Sequence, residues 1–242
     1  MSDGVRLSGE GTDAMARGDG GLQGVLWDMD GTLVNTEPRW IEGQMLLASE
    51  FDVCWTEEDA LTTVGKPMPV SAAKLREHGV PLTVEQIIAR QLAHVVASLS
   101  AGIPWLPGAW ELLTALRDAG IPCALVTMAY RPVAERVAAG APDGAFVAVV
   151  AGDDVANGKP HPEPYLTGAA RIGADPAACV AVEDTLNGTL SAEAAGCPTL
   201  AVRGVTPVPA APGRSRVGSL TDVSLGVLER IVRGEPIDTL VG

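Results

Sequence analysis

The sequence predicts an α/β fold built on a parallel β-sheet, and two observations support this prediction. Short apolar runs recur along the chain, each followed by a polar or turn-forming residue, as expected of strands that are buried on both faces. Amphipathic helical stretches lie between these runs, and such alternation is typical of parallel sheets with crossover helices. A third observation, a long helical segment that interrupts the alternation, predicts an inserted second domain.

Five apolar runs are the candidate strands of the sheet. They are GVLW, CALV, AFVAVVAG, CVAV and TLAV. The residues that follow them are Asp28, Thr127, Asp153, Glu183 and Arg203. Ligands of open parallel sheets bind at the carboxyl ends of the strands, so these positions are the first place to look for a functional site.

Three stretches between the candidate strands have apolar residues at helical spacing. They are GAWELLTALRDAGIP, PEPYLTGAARIGADP and NGTLSAEAAGCP. The first ends at Gly120 and Pro122, a helix terminator followed by a residue that cannot continue a helix, and the other two end in the same way. Helices in these places would cover both faces of a Rossmann-like parallel sheet.

The segment from about Pro38 to Ile103 has helical patterns and no convincing strand. Its amphipathic stretches are RWIEGQMLLASEF, PVSAAKLREHG and TVEQIIARQLAHVVASLS. This is far too long for a simple crossover, so we predict a small α-helical cap domain at residues 37–104 and a core domain at 21–36 and 105–242. Residues 1–20, rich in Gly, Ser and Asp, are expected to be a flexible tail, and VTPVPAAPGRSR a surface loop.

Composition and charge narrow the functional classes. A net charge of −13 disfavours nucleic acid or an anionic membrane as partner, because both bind basic surfaces. No apolar run reaches the roughly 18 residues of a membrane span, and the first residues do not have the pattern of a secretory signal. The four cysteines have no C-x-x-C spacing and indicate a reducing compartment. We therefore expect a cytoplasmic protein, either a monomer or a weak dimer.

Five polar residues that follow candidate strands, together with a lysine in a loop that leads into a helix, form one constellation. It consists of Asp28, Asp30, Thr127, Lys159, Glu183 and Asp184. Any one of these residues by itself is typical of a helix cap, a turn or a solvated loop. Several carboxylates, a hydroxyl and a lysine at one sheet edge together indicate a site with a chemical purpose.

The residue types of this constellation favour phosphoryl transfer. Clustered carboxylates repel one another unless a cation joins them, and hard oxygen ligands favour Mg²⁺. Such a metal, with Lys159 and the Thr127 hydroxyl, would bind the oxygens of a phosphoryl group, and a carboxylate can serve as the nucleophile. Asp28 and Asp30 are two residues apart, so they can face one substrate if the strand geometry persists.

The haloacid dehalogenase-like (HAD) hydrolase superfamily has four motifs that this sequence resembles in order and spacing. The matching segments are DMDGTLVNTE, the threonine that ends CALVT, the lysine of GKPHPEPY, and VEDTLNG. The resemblance covers roughly residues 22–205. The helical insertion is similar to the small cap of subfamily I, which includes phosphoglycolate phosphatases, sugar-phosphate phosphatases and β-phosphoglucomutases.

The resemblance implies different roles for the two aspartates of the first motif. Asp28 would attack phosphorus, form an aspartyl-phosphate and also bind Mg²⁺. Asp30 would protonate the leaving alcohol, then activate the water that hydrolyses the intermediate, and would lend its backbone carbonyl to the metal. The implied activity is a Mg²⁺-dependent phosphatase that acts on a small phosphorylated metabolite.

The other motifs would bind the phosphoryl group and the metal. Thr127 would hydrogen-bond the phosphoryl oxygens, and Lys159 would neutralise charge on the nucleophile and the phosphate. Asp184 would ligate Mg²⁺ directly, and Glu183 would ligate it through a water.

Three other activities share parts of this pattern. A β-phosphoglucomutase-like phosphomutase would pass the phosphoryl group to a sugar. Two departures count against it. Trp40 stands where such mutases carry a histidine, and the match to their basic residue after the cap-loop glycine, here Gly65, is unclear. A dehalogenase would lack the second aspartate, Asp30. A receiver-like signalling module would not place its acceptor after the first strand, and a silent binding protein would have lost a key group. The phosphatase is favoured, and the mutase is the alternative.

Substrate choice is expected to lie in the cap, which closes over the site and contacts the leaving group. The candidate specificity residues are Glu37, Trp40, Glu42, Lys66 and Met68. Trp40 is equally compatible with a place in the cap core, and Lys66 with a solvated position. A small cap favours compact substrates such as phosphosugars or phosphopolyols over phosphoproteins.

Overall fold

A computed structural model describes residues 21–63 and 66–240 of the chain. The predicted flexible tail, residues 1–20, lies outside the described residues. So does the cap-loop glycine, Gly65, together with residues 64 and 241–242.

The described residues form one sheet of six parallel strands. The strands are β1 (Gly24–Trp27), β2 (Cys123–Val126), β3 (Phe146–Val150), β4 (Cys179–Glu183), β5 (Thr199–Val202) and β6 (Ser215–Val217). Their order is β3-β2-β1-β4-β5-β6, and every neighbouring pair is parallel. The order reverses at β1, which places a ligand-binding crevice outside the carboxyl ends of β1 and β4. The predicted Rossmann-like α/β core is confirmed.

All five predicted strands are present, but the sixth strand differs from the prediction. The interpretation of VTPVPAAPGRSR as a surface loop is wrong for its last two residues, Ser215 and Arg216, which begin β6. Pairing with β5 buries Ser215 completely, and Arg216 forms an ion pair with Asp238. Both effects depend on distant residues, so the local Pro-rich composition does not indicate them.

Nine helices are present in the described part of the chain. They are α1 (Glu37–Ser49), α2 (Glu57–Leu61), α3 (Met68–Glu77), α4 (Val84–Leu99), α5 (Ala109–Asp118), α6 (Arg131–Ala139), α7 (Glu163–Arg171), α8 (Leu186–Ala194) and α9 (Leu225–Val232). Helices α1–α4 occupy the predicted insertion, whose described residues contain helices and turns but no named strand.

Two apolar clusters cover the two faces of the sheet. Alternate residues of a strand point to opposite faces, so Val25 and Trp27 of β1 join the cluster under α5, α6 and α9, whereas Leu26 joins the one under α7 and α8. A third cluster lies within the insertion and includes Leu47 and Ile87. A separate core is what an inserted domain needs for its own stability, and the proposed boundaries at residues 37 and 104 stay a prediction.

Three of the four thiols agree with the expectation of buried core cysteines. Cys123, Cys179 and Cys197 are buried as small core residues, and burial raises the pKa of each thiol to about 12. In residues 21–63 and 66–240, no helix has the length and apolar character that a membrane crossing requires.

Candidate active site

Lys159 joins the carboxyl ends of the three central strands. Its Nζ donates to Asp28 Oδ1 at 2.7 Å, to Glu183 Oε1 at 2.6 Å and to the backbone carbonyl of Val126 at 2.9 Å. Asp28 follows β1, Val126 ends β2 and Glu183 ends β4. The predicted lysine therefore lies at the crevice between β1 and β4, although its own loop is far away in sequence.

Three carboxylates lie close together at this site, and two of them contact the buried ammonium group. Asp28, Glu183 and Asp184 each offer one oxygen, and these atoms lie within 4.8 Å of one another. Burial raises the pKa of Asp28 well above its usual range and that of Asp184 to about 6, and the neighbouring Glu183 adds to both shifts. Burial alone would lower the pKa of Lys159, but the carboxylates of Asp28 and Glu183 raise it above its ordinary value, so the lysine is protonated.

This donor set fits a hard divalent cation. Three acidic side chains and a single ammonium share this buried place, and Lys159 pairs with two of the three carboxylates. Mg²⁺ prefers oxygen ligands and would bring further positive charge to this place. Asp28 and Asp184 are the residues that could hold it directly.

Glycines make room for these carboxylates. Gly31 has a φ of +86°, and a Cβ at this position would lie 2.1 Å from Asp184 Oδ2. A Cβ at Gly188 would lie 1.9 Å from the Glu183 carboxylate, and one at Gly204 would lie 2.8 Å from Asp184 Oδ2. Side chains at these positions would displace the carboxylates.

Glu183 is enclosed by Lys159 and by two further donors that the sequence analysis did not single out. Its Oε1 accepts from Lys159 and from the Tyr165 hydroxyl at 2.6 Å, and its Oε2 accepts from the Thr185 hydroxyl at 3.1 Å. Glu183 therefore anchors Lys159, and its predicted contact with a metal-bound water stays a prediction. Tyr165 ends the quoted GKPHPEPY segment, so its place in that motif was the available signal.

Thr127 lies at the end of β2 with its side chain buried. Its Oγ1 accepts a hydrogen bond from the backbone amide of Ala129 at 3.0 Å. A threonine hydroxyl has a single hydrogen and two acceptor lone pairs, so this contact leaves the hydrogen available for a phosphoryl oxygen. The arrangement is compatible with the predicted role.

Asp30 is held by the start of helix α1 and not by the carboxylate cluster. Thr36 donates to Asp30 Oδ1 from its backbone amide at 3.0 Å and from its hydroxyl at 2.5 Å. The Thr36 hydroxyl accepts in turn from Trp40 Nε1 at 3.1 Å. Burial raises the pKa of Asp30, and the hydrogen bonds from Thr36 oppose that shift. The two aspartates of the first motif thus have different surroundings.

The candidate specificity residues fall into two groups. Glu37 and Trp40 lie beside Asp30, since the Glu37 charge contributes to the raised pKa of Asp30 and Trp40 reaches it through Thr36. Glu42 forms ion pairs within the helical insertion, at 3.7 Å to Arg39 and 3.6 Å to His94. Lys66 is exposed and Met68 is half-buried, and neither has a hydrogen bond or ion pair to the carboxylate cluster in the part of the chain that the structure describes.

A cavity of about 520 Å³ lies along α1. It is lined by Asn35, Glu37, Pro38, Ile41, Glu42, Met45, Leu46 and Glu57. It contains none of the six residues of the predicted constellation, and it approaches the site only at Asn35 and Glu37.

Comparisons with known proteins agree with this geometry. A model of the haloacid dehalogenase-like hydrolase family matches residues 22–196. Hexitol phosphatase A of Escherichia coli is 36% identical over 77% of this chain and 86% of its own length. Phosphoglycolate phosphatase of the same organism is 32% identical over 74% of this chain and 80% of its own length. The crystal structure of CbbY from Rhodobacter sphaeroides in complex with xylulose-(1,5)bisphosphate has a TM-score of 0.71 at 27% identity, and covers 83% of this chain and 96% of that one.

Family match, sheet order and site therefore agree: the chain belongs to the haloacid dehalogenase-like hydrolase family, and its predicted motifs lie at the switch point of the sheet.

Proposed function

We propose that the chain is a Mg²⁺-dependent phosphatase that hydrolyses a small sugar or polyol phosphate through an aspartyl-phosphate on Asp28. The observation that carries the proposal is the buried cluster of Asp28, Glu183 and Asp184, in which the Lys159 ammonium pairs with Asp28 and Glu183. Phosphoric monoester hydrolysis, the predicted reaction class, agrees with the family and with the phosphatase names of two relatives.

In the first step, the Asp28 carboxylate attacks phosphorus and the bond between phosphorus and the leaving oxygen breaks. The protonated Asp30 side chain gives its proton to that oxygen, so a neutral alcohol leaves. Lys159 contacts Asp28 and would offset the charge of the transferring group, while the Thr127 hydroxyl would donate to one of its oxygens.

In the second step, a water molecule attacks the phosphorus of the aspartyl-phosphate. Asp30, now ionised, takes a proton from the water, and the bond between phosphorus and Asp28 breaks. Inorganic phosphate leaves, Asp28 is again a carboxylate and Asp30 is again protonated. The raised pKa of Asp30 suits a group that must carry a proton in the first step.

Asp28, Asp184 and the backbone carbonyl of Asp30 would hold Mg²⁺, with Glu183 contacting it through water. When bound, Mg²⁺ supplies positive charge that stabilises the phosphoryl oxygens. The predicted cytoplasmic location, the monomeric or weakly dimeric state and the absence of a nucleic-acid partner stay predictions.

Two relatives support a compact polyol or sugar phosphate as substrate. Hexitol phosphatase A is named for a polyol substrate, and the CbbY structure contains a sugar bisphosphate. The phosphomutase is the second candidate, and the indole of Trp40 in place of the histidine of such mutases counts against it.

The test is a phosphate-release screen over phosphorylated metabolites with and without Mg²⁺. We expect Mg²⁺-dependent release from one or more hexitol or sugar phosphates and much slower release from a folded phosphoprotein. β-Glucose 1-phosphate is assayed separately for glucose 6-phosphate. Isomerisation without phosphate release would replace the phosphatase with the mutase.

A further inference from the structure

We propose that Trp40 is a positioning residue for Asp30: its indole N–H fixes the direction of the Thr36 hydroxyl, and that hydroxyl holds the Asp30 carboxylate. The inference rests on the proposed function, because it takes Asp30 as the group that transfers the proton. It assigns to Trp40 a role other than substrate contact or packing in the cap core.

The three residues form a continuous hydrogen-bonded chain. Trp40 Nε1 donates to Thr36 Oγ1 at 3.1 Å, and Thr36 Oγ1 donates to Asp30 Oδ1 at 2.5 Å. Trp40 lies one helical turn after Thr36, so the start of α1 fixes the spacing of the two side chains. Thr36, the middle residue of the three, is completely buried, so its hydroxyl is shielded from solvent.

The chemistry of the groups sets the direction of each hydrogen bond. An indole N–H can only donate, so Thr36 Oγ1 must be the acceptor in its contact with Trp40. The single hydroxyl hydrogen of Thr36 is then donated to the carboxylate of Asp30. Without the indole, that hydroxyl could rotate toward other acceptors, and Asp30 would lose a fixed donor.

Comparison with other helices of the chain shows that Thr36 is used in an unusual way. Thr36 is the N-cap of α1, but its side chain makes no capping hydrogen bond. Four other Ser or Thr N-caps do cap their helices by accepting from a backbone amide. They are Thr56, Thr83, Thr185 and Ser224. Thr36 gives up the capping contact normally made at this position and donates to Asp30 instead.

The arrangement leaves one oxygen of the acid free for proton exchange. Thr36 donates to Oδ1 of Asp30 from both its amide and its hydroxyl. Within residues 21–63 and 66–240, no hydrogen bond reaches Oδ2 of Asp30. Fixing Oδ1 therefore restricts the side chain to one orientation and presents Oδ2 in a constant direction.

The experiment compares two substrates that differ in their need for a proton donor. p-Nitrophenyl phosphate releases a stable phenolate that leaves without protonation, whereas sorbitol 6-phosphate releases an alkoxide that needs a proton. We measure kcat/KM, which reports the transfer to Asp28 and not the later hydrolysis that both substrates share. The variants are Trp40→Phe, which keeps an aromatic ring but removes the N–H, and Thr36→Val, which removes the hydroxyl. Trp110→Phe, at a partly exposed position on α5, is the matched control.

We expect Trp40→Phe to lower kcat/KM for sorbitol 6-phosphate about tenfold, a fraction of what general acid catalysis contributes, and to leave p-nitrophenyl phosphate within about twofold. Thr36→Val should show the same selectivity with a larger loss, and it provides the answer if Trp40→Phe does not fold. Trp110→Phe should match the wild type on both substrates.

Equal losses on both substrates, or no loss on either, would overturn the positioning role. So would a wild-type enzyme that hydrolyses p-nitrophenyl phosphate but no alkyl phosphate, because no proton donor would then be at work. A wild-type enzyme that is inactive in the presence of Mg²⁺ on p-nitrophenyl phosphate and on every sugar and polyol phosphate of the screen would instead refute the proposed function.

Discussion

At the scale of single residues, the two aspartates of the first motif differ in their hydrogen-bond partners. Asp28 contacts Lys159 at 2.7 Å, whereas Asp30 is bound by Thr36. We expect Asp28→Asn to reduce Mg²⁺-dependent phosphate release to background with the fold intact, because an amide does not attack phosphorus. Asp153→Asn is the control, since Asp153 also follows a strand but is exposed. Retained hydrolysis in Asp28→Asn would remove Asp28 from the nucleophile role.

Tyr165 is a second residue whose contribution to stability can be measured by itself. Its hydroxyl donates to Glu183 at 2.6 Å, and its ring lies 5.0 Å from Lys159 Nζ. Tyr165→Phe keeps the ring and removes one donor from a buried carboxylate, so we expect a loss of about 1.5–3 kcal/mol in the free energy of unfolding. Urea denaturation measures this loss. Tyr130→Phe, at the other tyrosine of the chain, should change stability little.

If Tyr165→Phe unfolds at the wild-type urea concentration, the hydroxyl of Tyr165 does not support Glu183. An equal loss in Tyr130→Phe would show that the effect belongs to tyrosine replacement in general and not to this contact.

At the scale of elements, helix α8 begins directly after the acidic pair and approaches it closely. Gly188 lies in the first turn of α8, and a Cβ there would be 1.9 Å from the Glu183 carboxylate. Glycine to alanine in a helix normally stabilises by about 0.5–1 kcal/mol. We expect the opposite for Gly188→Ala: lower stability, by about 2 kcal/mol or more as is typical of overpacking, together with loss of activity, because Glu183 and Lys159 must move.

Helix α9 offers the matched control for this prediction. Gly226 also lies in a first turn, and its nearest neighbour for a Cβ is Ser224 Oγ at an ordinary 3.8 Å. Gly226→Ala should therefore raise the melting temperature slightly and leave activity unchanged. Scanning calorimetry measures the melting temperatures of Gly188→Ala and Gly226→Ala. Melting-temperature shifts of similar size and the same sign in both variants would show that the close approach at α8 has no energetic consequence.

At the scale of the whole molecule, the sequence predicts what depends on local pattern and on chain order. The apolar run before Asp28 and the helix that stops at Gly120 are local signals, and both elements are present. Strand β6 is only three residues long and depends on pairing with β5, so its local sequence does not reveal it. Helix α2 is too short to show a helical period, although Thr56 and Asp59 form a local capping box at its start. The same limit as for β6 applies to Tyr165, whose contact with Glu183 spans 18 residues.

The fold brings like charges together, so we expect global stability to depend on a bound metal. Asp28, Glu183 and Asp184 offer oxygens within 4.8 Å of one another, and Lys159 alone does not neutralise them. A ligand that binds only the folded state stabilises it by about 2.7 kcal/mol at 100 times its Kd. A chain of this length shifts by roughly 2–4 °C per kcal/mol, so we expect saturating Mg²⁺ to raise the melting temperature by about 5–10 °C.

The control for this metal effect is Asp184→Asn, which removes one oxygen ligand and one of the repelling charges. We expect its melting temperature without metal to be at least that of the wild type, because a buried like charge is gone, and its response to Mg²⁺ to be strongly reduced. Thermal unfolding of both proteins in a Mg²⁺ titration, with equal ionic strength maintained by NaCl, measures the two effects. An equal rise in both proteins would place the bound metal away from the carboxylate cluster.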